Sequence, residues 1–212
     1  MRPDQAYQPI VIMGLGQMGG VFARGFLGAG HPVYPVTPAM NPADRVALMP
    51  EPVLVLLAVP ENILTEVLSR MPGPWRDRLG LLQNELLPWQ WQAENITNPT
   101  VLAVWFEKKS GREVKVFQPS QAFGPGAELI REALGTLDIP CQVPADEGEM
   151  LTELIKKNLY VLTINIAGLV VGGKTGELWA GHSELVTRIA GDIIDIMEAV
   201  NRTTCDRPSL LA

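Results

Sequence analysis

An α/β fold built on a doubly wound, mostly parallel sheet and followed by a small all-helical C-terminal domain is predicted by three observations. A short apolar run at Ile10 to Met13 is closed by glycines and runs straight into a helical pattern. Strand-length apolar runs then alternate with helical segments as far as Pro144. Beyond Pro144 the pattern is helical throughout, which places a domain boundary there and divides the chain into 1–144 and 145–212.

Length and composition fit that picture. The 212 residues suffice for a medium domain with an appendage, and 47% apolar with 19% charged residues exclude a disordered or fibrous chain. A net charge of −6 supplies no basic stripe for phosphates, so no nucleic-acid partner is expected. The two cysteines, Cys141 and Cys205, have neither redox nor zinc-ligand spacing. Met1 to Gln8 does not read as a signal peptide, and the apolar stretch Tyr160 to Val171 is too short for a membrane span. A protein of the cytoplasm is expected.

Pro9 to Met13 reads as a strand buried on both faces, and Gln17 to Ala29 as a helix whose apolar positions include Met18, Val21, Phe22 and Phe26. Val33 to Val36 is a second strand, followed by a proline-rich connection with little room for a long helix. Val53 to Val59 is the clearest buried strand, with an amphipathic helix, Glu61 to Arg70, behind it. Leu79 to Gln83, Val101 to Phe106, Val114 to Phe117 and Ile139 to Val143 are further strands, and Ala127 to Leu137 is a helix. A long helix covers Gly148 to Val171, with acids at its start where the helix dipole favours them. After the loop Gly172 to Gly176, a second covers Ser183 to Val200, and the tail from Asn201 is expected to be poorly ordered.

Gly14-Leu15-Gly16-Gln17-Met18-Gly19 is a GxGxxG between a strand and a helix, the context that dinucleotide binding requires. Gly14 allows the tight turn, Gly16 lets a pyrophosphate reach the backbone, and Gly19 lets helix pack on strand. The fold is thereby Rossmann-type. Some twenty residues on, no acid stands where NAD's ribose would be read. Thr37, with Arg45 downstream, tilts the choice to NADP, NAD remaining open. Val59 and Asn84 end strands on the side expected to face the cofactor.

Lys157 and Asn165 recur at helical spacing with Val161 between them, so they share one helix face about 12 Å apart. By spacing alone Lys157 reads as the partner of Glu153, one turn earlier. Asn165, in an apolar helix, reads as a polar contact across a helix seam. His31 and His182 lie beside turns and read as exposed, and the tryptophans Trp75, Trp89, Trp91 and Trp105 as core or loop packing. Gly-Lys-Thr at 173–175 lacks the upstream glycine at the spacing a nucleoside triphosphate loop needs.

Several of these segments together carry a resemblance. The glycine loop, Leu81-Leu82-Gln83-Asn84, Glu153-Leu154-Ile155-Lys156-Lys157 with Asn165, and Gly176-Glu177-Leu178 make the chain from Ile10 to about Ala199 resemble the ketopantoate reductase (2-dehydropantoate 2-reductase) family of the 6-phosphogluconate dehydrogenase-like superfamily. The resemblance implies that Lys157 donates to a ketone oxygen as hydride reaches the carbon, that Asn165 binds substrate, and that Asn84 lies near the nicotinamide. Three departures stand against it. Val161 occupies the place of a second substrate-binding asparagine, Glu85 that of a glycine, and the family's longer second domain brings a serine and a glutamate with no match here.

The expected activity is therefore NAD(P)H-dependent reduction of a small 2-oxo acid or related ketone. The alternative is a non-catalytic NADP(H)-binding protein, a sensor or a partner subunit. A homodimer through residues 148–200 is expected, burying Leu159, Leu162, Ile166, Leu169, Ile189, Ile193 and Ile196.

Overall fold

The computed structural model describes residues 8–211. Strand β1 (Ile10–Met13) leads into helix α1 (Gln17–Gly28), and β2 (Val33–Val36) into the short α2 (Pro42–Leu48). Next come β3 (Leu54–Leu57), a 3-10 turn running into α3 (Leu64–Ser69), β4 (Leu79–Leu81), α4 (Pro88–Gln92) and β5 (Thr100–Ala103). A hairpin of β6 (Phe106–Glu107) and β7 (Lys115–Val116) precedes β8 (Ser120–Phe123), α5 (Ala127–Gly135) and β9 (Cys141–Gln142). Helices α6 (Glu147–Val171), α7 (Thr175–Asn201) and α8 (Arg207–Leu211) complete the chain.

The main sheet has the order β2-β1-β3-β4-β5-β8-β9. Every neighbouring pair is parallel except β5 with β8, where Val101 faces Phe123 and Ala103 faces Gln121. The chain goes from β1 outward to β2, then returns to the other side of β1 as β3. Ligands bind at such a reversal, beyond the carboxyl ends of the strands. Ile10, Ile12, Leu54 and Leu56 face one apolar core with Phe22, Phe26 and Ile130, while Val11, Val55, Leu57 and Leu81 face the other with Leu64, Leu68 and Trp75. Burial on both faces explains why these strands read as continuous apolar runs rather than alternating ones.

Helices α1 and α5 cross closely on the first of these cores. A Cβ added at Gly25 would stand 2.6 Å from the carbonyl oxygen of Ala133, too near for backbone to accommodate. Gly25→Ala is expected to cost about 2 kcal/mol of stability, the usual penalty for overfilling a packed contact. A lowered urea midpoint at unchanged slope is the measurement that checks it.

Helix α6 serves two cores. Met150 and Leu154 belong to the sheet's second face, whereas Ile155 and Leu159 pack with Ile193, Ile194 and Met197 of α7. The Asp146 carboxylate caps its start by accepting from the Glu149 N–H at 2.9 Å. The buried Asn158 amide donates to the Leu86 carbonyl at 3.3 Å, tying the helix to the segment after β4.

Six local readings are corrected. Strand β8 was not expected, and the run Val101 to Phe106 divides between β5 and the separate β6–β7 pair. Helix α7 begins at Thr175 rather than Ser183, because the Glu177 carboxylate accepts from the Lys174 N–H at 2.7 Å and starts it early; a kink at His182 marks the expected start. The tail forms α8, held where Arg207 pairs with Asp195 and Glu198. His182 is exposed as expected, but His31 is buried with its Nδ1 3.1 Å from the Gln8 carbonyl oxygen. Leu159 and Ile193 pack within the chain between α6 and α7, leaving Ile166, Leu169 and Ile196 as the exposed members of the predicted apolar face.

Helix α6 also reaches membrane-spanning length and composition, with a mean hydropathy of 1.4 over its 18-residue window, which the shorter stretch at 160–171 did not suggest. Packing against α7 and the sheet buries 39% of that window, while Ile166, Leu169 and Val170 on the same helix stay exposed.

Candidate functional site

The carboxyl ends of β1 to β5 open into one cleft of about 1440 Å³. Its first wall is the loop from β1 to α1. Gly14 has φ +92°, a conformation that L side chains rarely adopt, and an added Cβ would meet the Ala58 carbonyl oxygen at 2.5 Å. At Gly19 a Cβ would lie 2.0 Å from the Gly14 oxygen, so glycine is what brings α1 onto the strand end. Around Gly16 there is open space: a Cβ there would meet nothing within 4 Å.

Helix α1 has neither a side-chain cap at Gly16 nor an acid in its first turn. Its leading N–H groups therefore face the cleft without an acceptor among the described residues, next to the positive end of the helix dipole. That is a ready-made cradle for an anion such as a diphosphate. Leu15, Gln17 and Met18 line the cleft with Gly14 and Gly16, while Gly19 lies beneath the turn.

Beyond β2, Thr37 lines the cleft together with Pro38, Met40 and Asn41, and Arg45 does not. After β3 come Val59, Pro60 and Glu61; after β4 come Gln83 and Asn84. Gln83 is buried and bridges strand ends, donating from Nε2 to the Leu57 carbonyl at 2.8 Å and accepting the Leu82 N–H at 3.1 Å. The Glu61 carboxylate accepts from the Glu85 N–H at 3.0 Å. Burial raises the Glu61 pKa, opposed by that backbone hydrogen bond. Glu85 has a negative φ, so glutamate sits in this turn without the strain a glycine-type conformation would impose.

Helix α6 forms the facing wall. Lys157, Val161 and Asn165 all line the cleft, with Tyr160 and Ile164 beside them, which is the single-face arrangement their spacing predicts. The pairing with Glu153 falls instead to Lys156, at 2.7 Å. Lys157 turns inward and holds its ammonium 4.5 Å from the centre of the Trp105 ring, which is itself 5.6 Å from the ring of Tyr160. Burial pushes this lysine down to about 8. The negative face of the indole acts the other way and favours the cation. Asn165 is exposed to the cleft, and the buried amide on this helix is Asn158.

Sequence reasoning missed Glu61, Gln83 and the hairpin lysines Lys108 and Lys109, all of which line the cleft. Gln83 was inside a motif already singled out. Trp105 is buried, as a packing residue should be, and its ring also seats Lys157. Trp75 fills the core and donates from Nε1 to the Met49 carbonyl at 2.9 Å, while Trp89 is exposed. The Cys141 thiol is pushed up to about 11 by burial, and both cysteines are free.

No protein-family model matches the chain, and no curated protein matches it in sequence. Solved structures do match it in three dimensions. A 2-dehydropantoate 2-reductase from Methylococcus capsulatus superposes with a TM-score of 0.70 at 13% identity, over 96% of this chain and 77% of that one. A D-mandelate dehydrogenase solved with NADH gives 0.66 at 15% identity, over 96% and 77%. A dimeric ketopantoate reductase from Staphylococcus aureus gives 0.64 at 15% identity, over 96% and 85%. The parallel-dominated sheet, its flanking helices and the long C-terminal helices thus make up the fold seen in ketopantoate reductases.

Proposed function

We propose that this chain is an NAD(P)H-dependent oxidoreductase that reduces a small 2-oxo acid or a related ketone. The observation that carries the reading is the position of Lys157: a half-buried ammonium on α6, facing the same cleft as the uncapped start of α1. The amides after Gly14 and the space around Gly16 fit a diphosphate, Thr37 the ribose, and Val59 and Asn84 the nicotinamide end. The dinucleotide, when bound, supplies a hydride. NADPH is the first choice, because among the described residues no carboxylate lines the cleft at the end of β2, and NADH the second.

The chain's own residues do the rest. Reduction of a ketone builds negative charge on its oxygen, and Lys157 supplies both a counter-charge and a proton. A pKa of about 8 keeps the group protonated at neutral pH yet makes it a better donor than an ordinary lysine. Asn165, two turns further along α6, hydrogen-bonds the substrate. Residues 1–144 carry the dinucleotide and 145–212 the acid. A second copy packs through residues 148–200, where Leu169 is 88% exposed. The setting is the cytoplasm.

A second reading, a dinucleotide-binding sensor or partner subunit without turnover, draws on Val161, which puts an apolar side chain between Lys157 and Asn165 in the cleft wall. Oxidation of NADPH and NADH against a panel of 2-oxo acids separates the two. Turnover on any member of the panel supports the reductase. Cofactor binding with no turnover throughout overturns it in favour of the second reading.

A further inference from the structure

A 2-oxo acid presents two groups to a binding site, a ketone and a carboxylate. Lys157 answers the ketone, which leaves the carboxylate without an assigned cation. Among the described residues four basic side chains line the cleft: Arg70, Lys108, Lys109 and Lys157. Arg70 sits at the end of α3, on the β3 side, and is paired with Glu66 at 2.8 Å. Lys109 is exposed and is paired with Glu107 at 3.0 Å. Lys108 differs from both: it is partly buried, and among the described residues no carboxylate lies within ion-pair distance of it. Among the described residues its ammonium donates only to the Arg112 carbonyl within the hairpin, which satisfies a hydrogen bond and supplies no counter-charge.

The hairpin that carries Lys108 has a firm base. Phe106 is buried and its ring is 6.0 Å from that of Phe22 in α1, while the Phe117 N–H donates to the Trp105 carbonyl at 2.9 Å. Trp105 is also the residue whose ring seats Lys157. Lys108, three positions further on, therefore approaches the cleft from a segment directly joined to the platform of the acid. Two cations, one on α6 and one on the β6–β7 hairpin, enter one cleft from different walls.

We propose that Lys108 is the carboxylate-binding residue of the substrate site, so that the cleft selects ketones with an adjacent anionic group. This deepens the reductase reading and rests on it. A charge-assisted hydrogen bond to a carboxylate that is otherwise taken out of water corresponds to about tenfold to a hundredfold in affinity.

The test compares wild type, Lys108→Met and Lys108→Arg on 2-oxo acids and on the matching 2-oxo amides, with NADPH affinity measured separately by fluorescence titration. In Lys108→Met the KM for the acids is expected to rise about tenfold to a hundredfold, while kcat, the KM for the amides and NADPH affinity stay as in wild type. Arginine at 108 restores most of the loss. An unchanged KM for the acids overturns the assignment, as does a loss that extends equally to the amides. If wild type reduces no ketone at all, the reductase reading fails on its own account. Oxamate titrated into the NADPH-bound protein then reads Lys108 directly. Weaker binding in Lys108→Met upholds the assignment; equal binding, or none in wild type, overturns it.

Discussion

Lys157→Met is expected to lower the turnover number for ketone reduction by about a hundredfold to ten-thousandfold, the range lost with a positioned general acid. Methionine keeps the stem of the side chain against Trp105 and removes only the proton and the charge. The cofactor should bind as before, since the glycine loop lies on the opposite wall. In wild type the reduction rate should be level at lower pH and fall about tenfold per pH unit above about 8, where Lys157 loses its proton. That limb should vanish in the variant.

Stability gives the same residue an independent signature. The folded pKa of Lys157, about 8, is depressed below the ordinary 10.5. Its contribution to stability is therefore fully present above the unfolded value and is lost as pH falls through about 8. At neutral pH the wild-type protein holds a partly desolvated cation, eased by the Trp105 ring. Lys157→Met should be at least as stable there, with any advantage shrinking as pH rises towards 10.5. A variant that is both inactive and unfolded would count against the acid role; one that is inactive and well folded supports it.

Gly16→Val should have the largest effect on cofactor affinity. Gly16 has φ −67°, which any residue accepts, and its Cβ would project into open space. The fold should lose less than about 1 kcal/mol, mostly from a poorer residue at the start of α1. The diphosphate, in contrast, loses the close approach that lets it accept from several amides, each such charge-assisted bond being worth about 1.5–3 kcal/mol. NADPH affinity should fall at least about tenfold, read by fluorescence titration beside a thermal midpoint lowered by no more than about 4 °C. Gly19→Ala is the contrasting control, because a Cβ 2.0 Å from backbone disturbs the fold as well.

The strand, turn and helix at residues 10–28 were legible because continuous burial and the glycine spacing leave few alternatives. The face shared by Lys157 and Asn165 was legible from helical period alone. Which of the neighbouring lysines faces inward was not, since Lys156 and Lys157 both lie within reach of Glu153 and only packing on Trp105 separates them. Strand β8 was hidden because Ser120 and Gln121 dilute its apolar signal, and its partner β5 is distant in sequence. His31 reads as a polar turn residue, yet a single backbone carbonyl suffices to bury it. Lys108 offered no local signal: in sequence it is one of several hairpin charges, and its significance comes from which neighbours lack an acid. The apolar positions of α6 and α7 predicted burial correctly for Leu159 and Ile193, but periodicity could not say that the burial is against each other.

Helix α6 fixes Met150 and Leu154 in one core, Leu159 in another and Lys157 in the cleft, all along one unbroken rod. One inserted or deleted residue between Leu154 and Lys157 would swing the Lys157 side chain by about 100° around the axis, out of the cleft. The spacing within 150–165 is consequently as constrained as the identity of the lysine itself. Beyond Asn165 the rod answers to α7 alone, where Ala167 is buried against Leu178 and Val186.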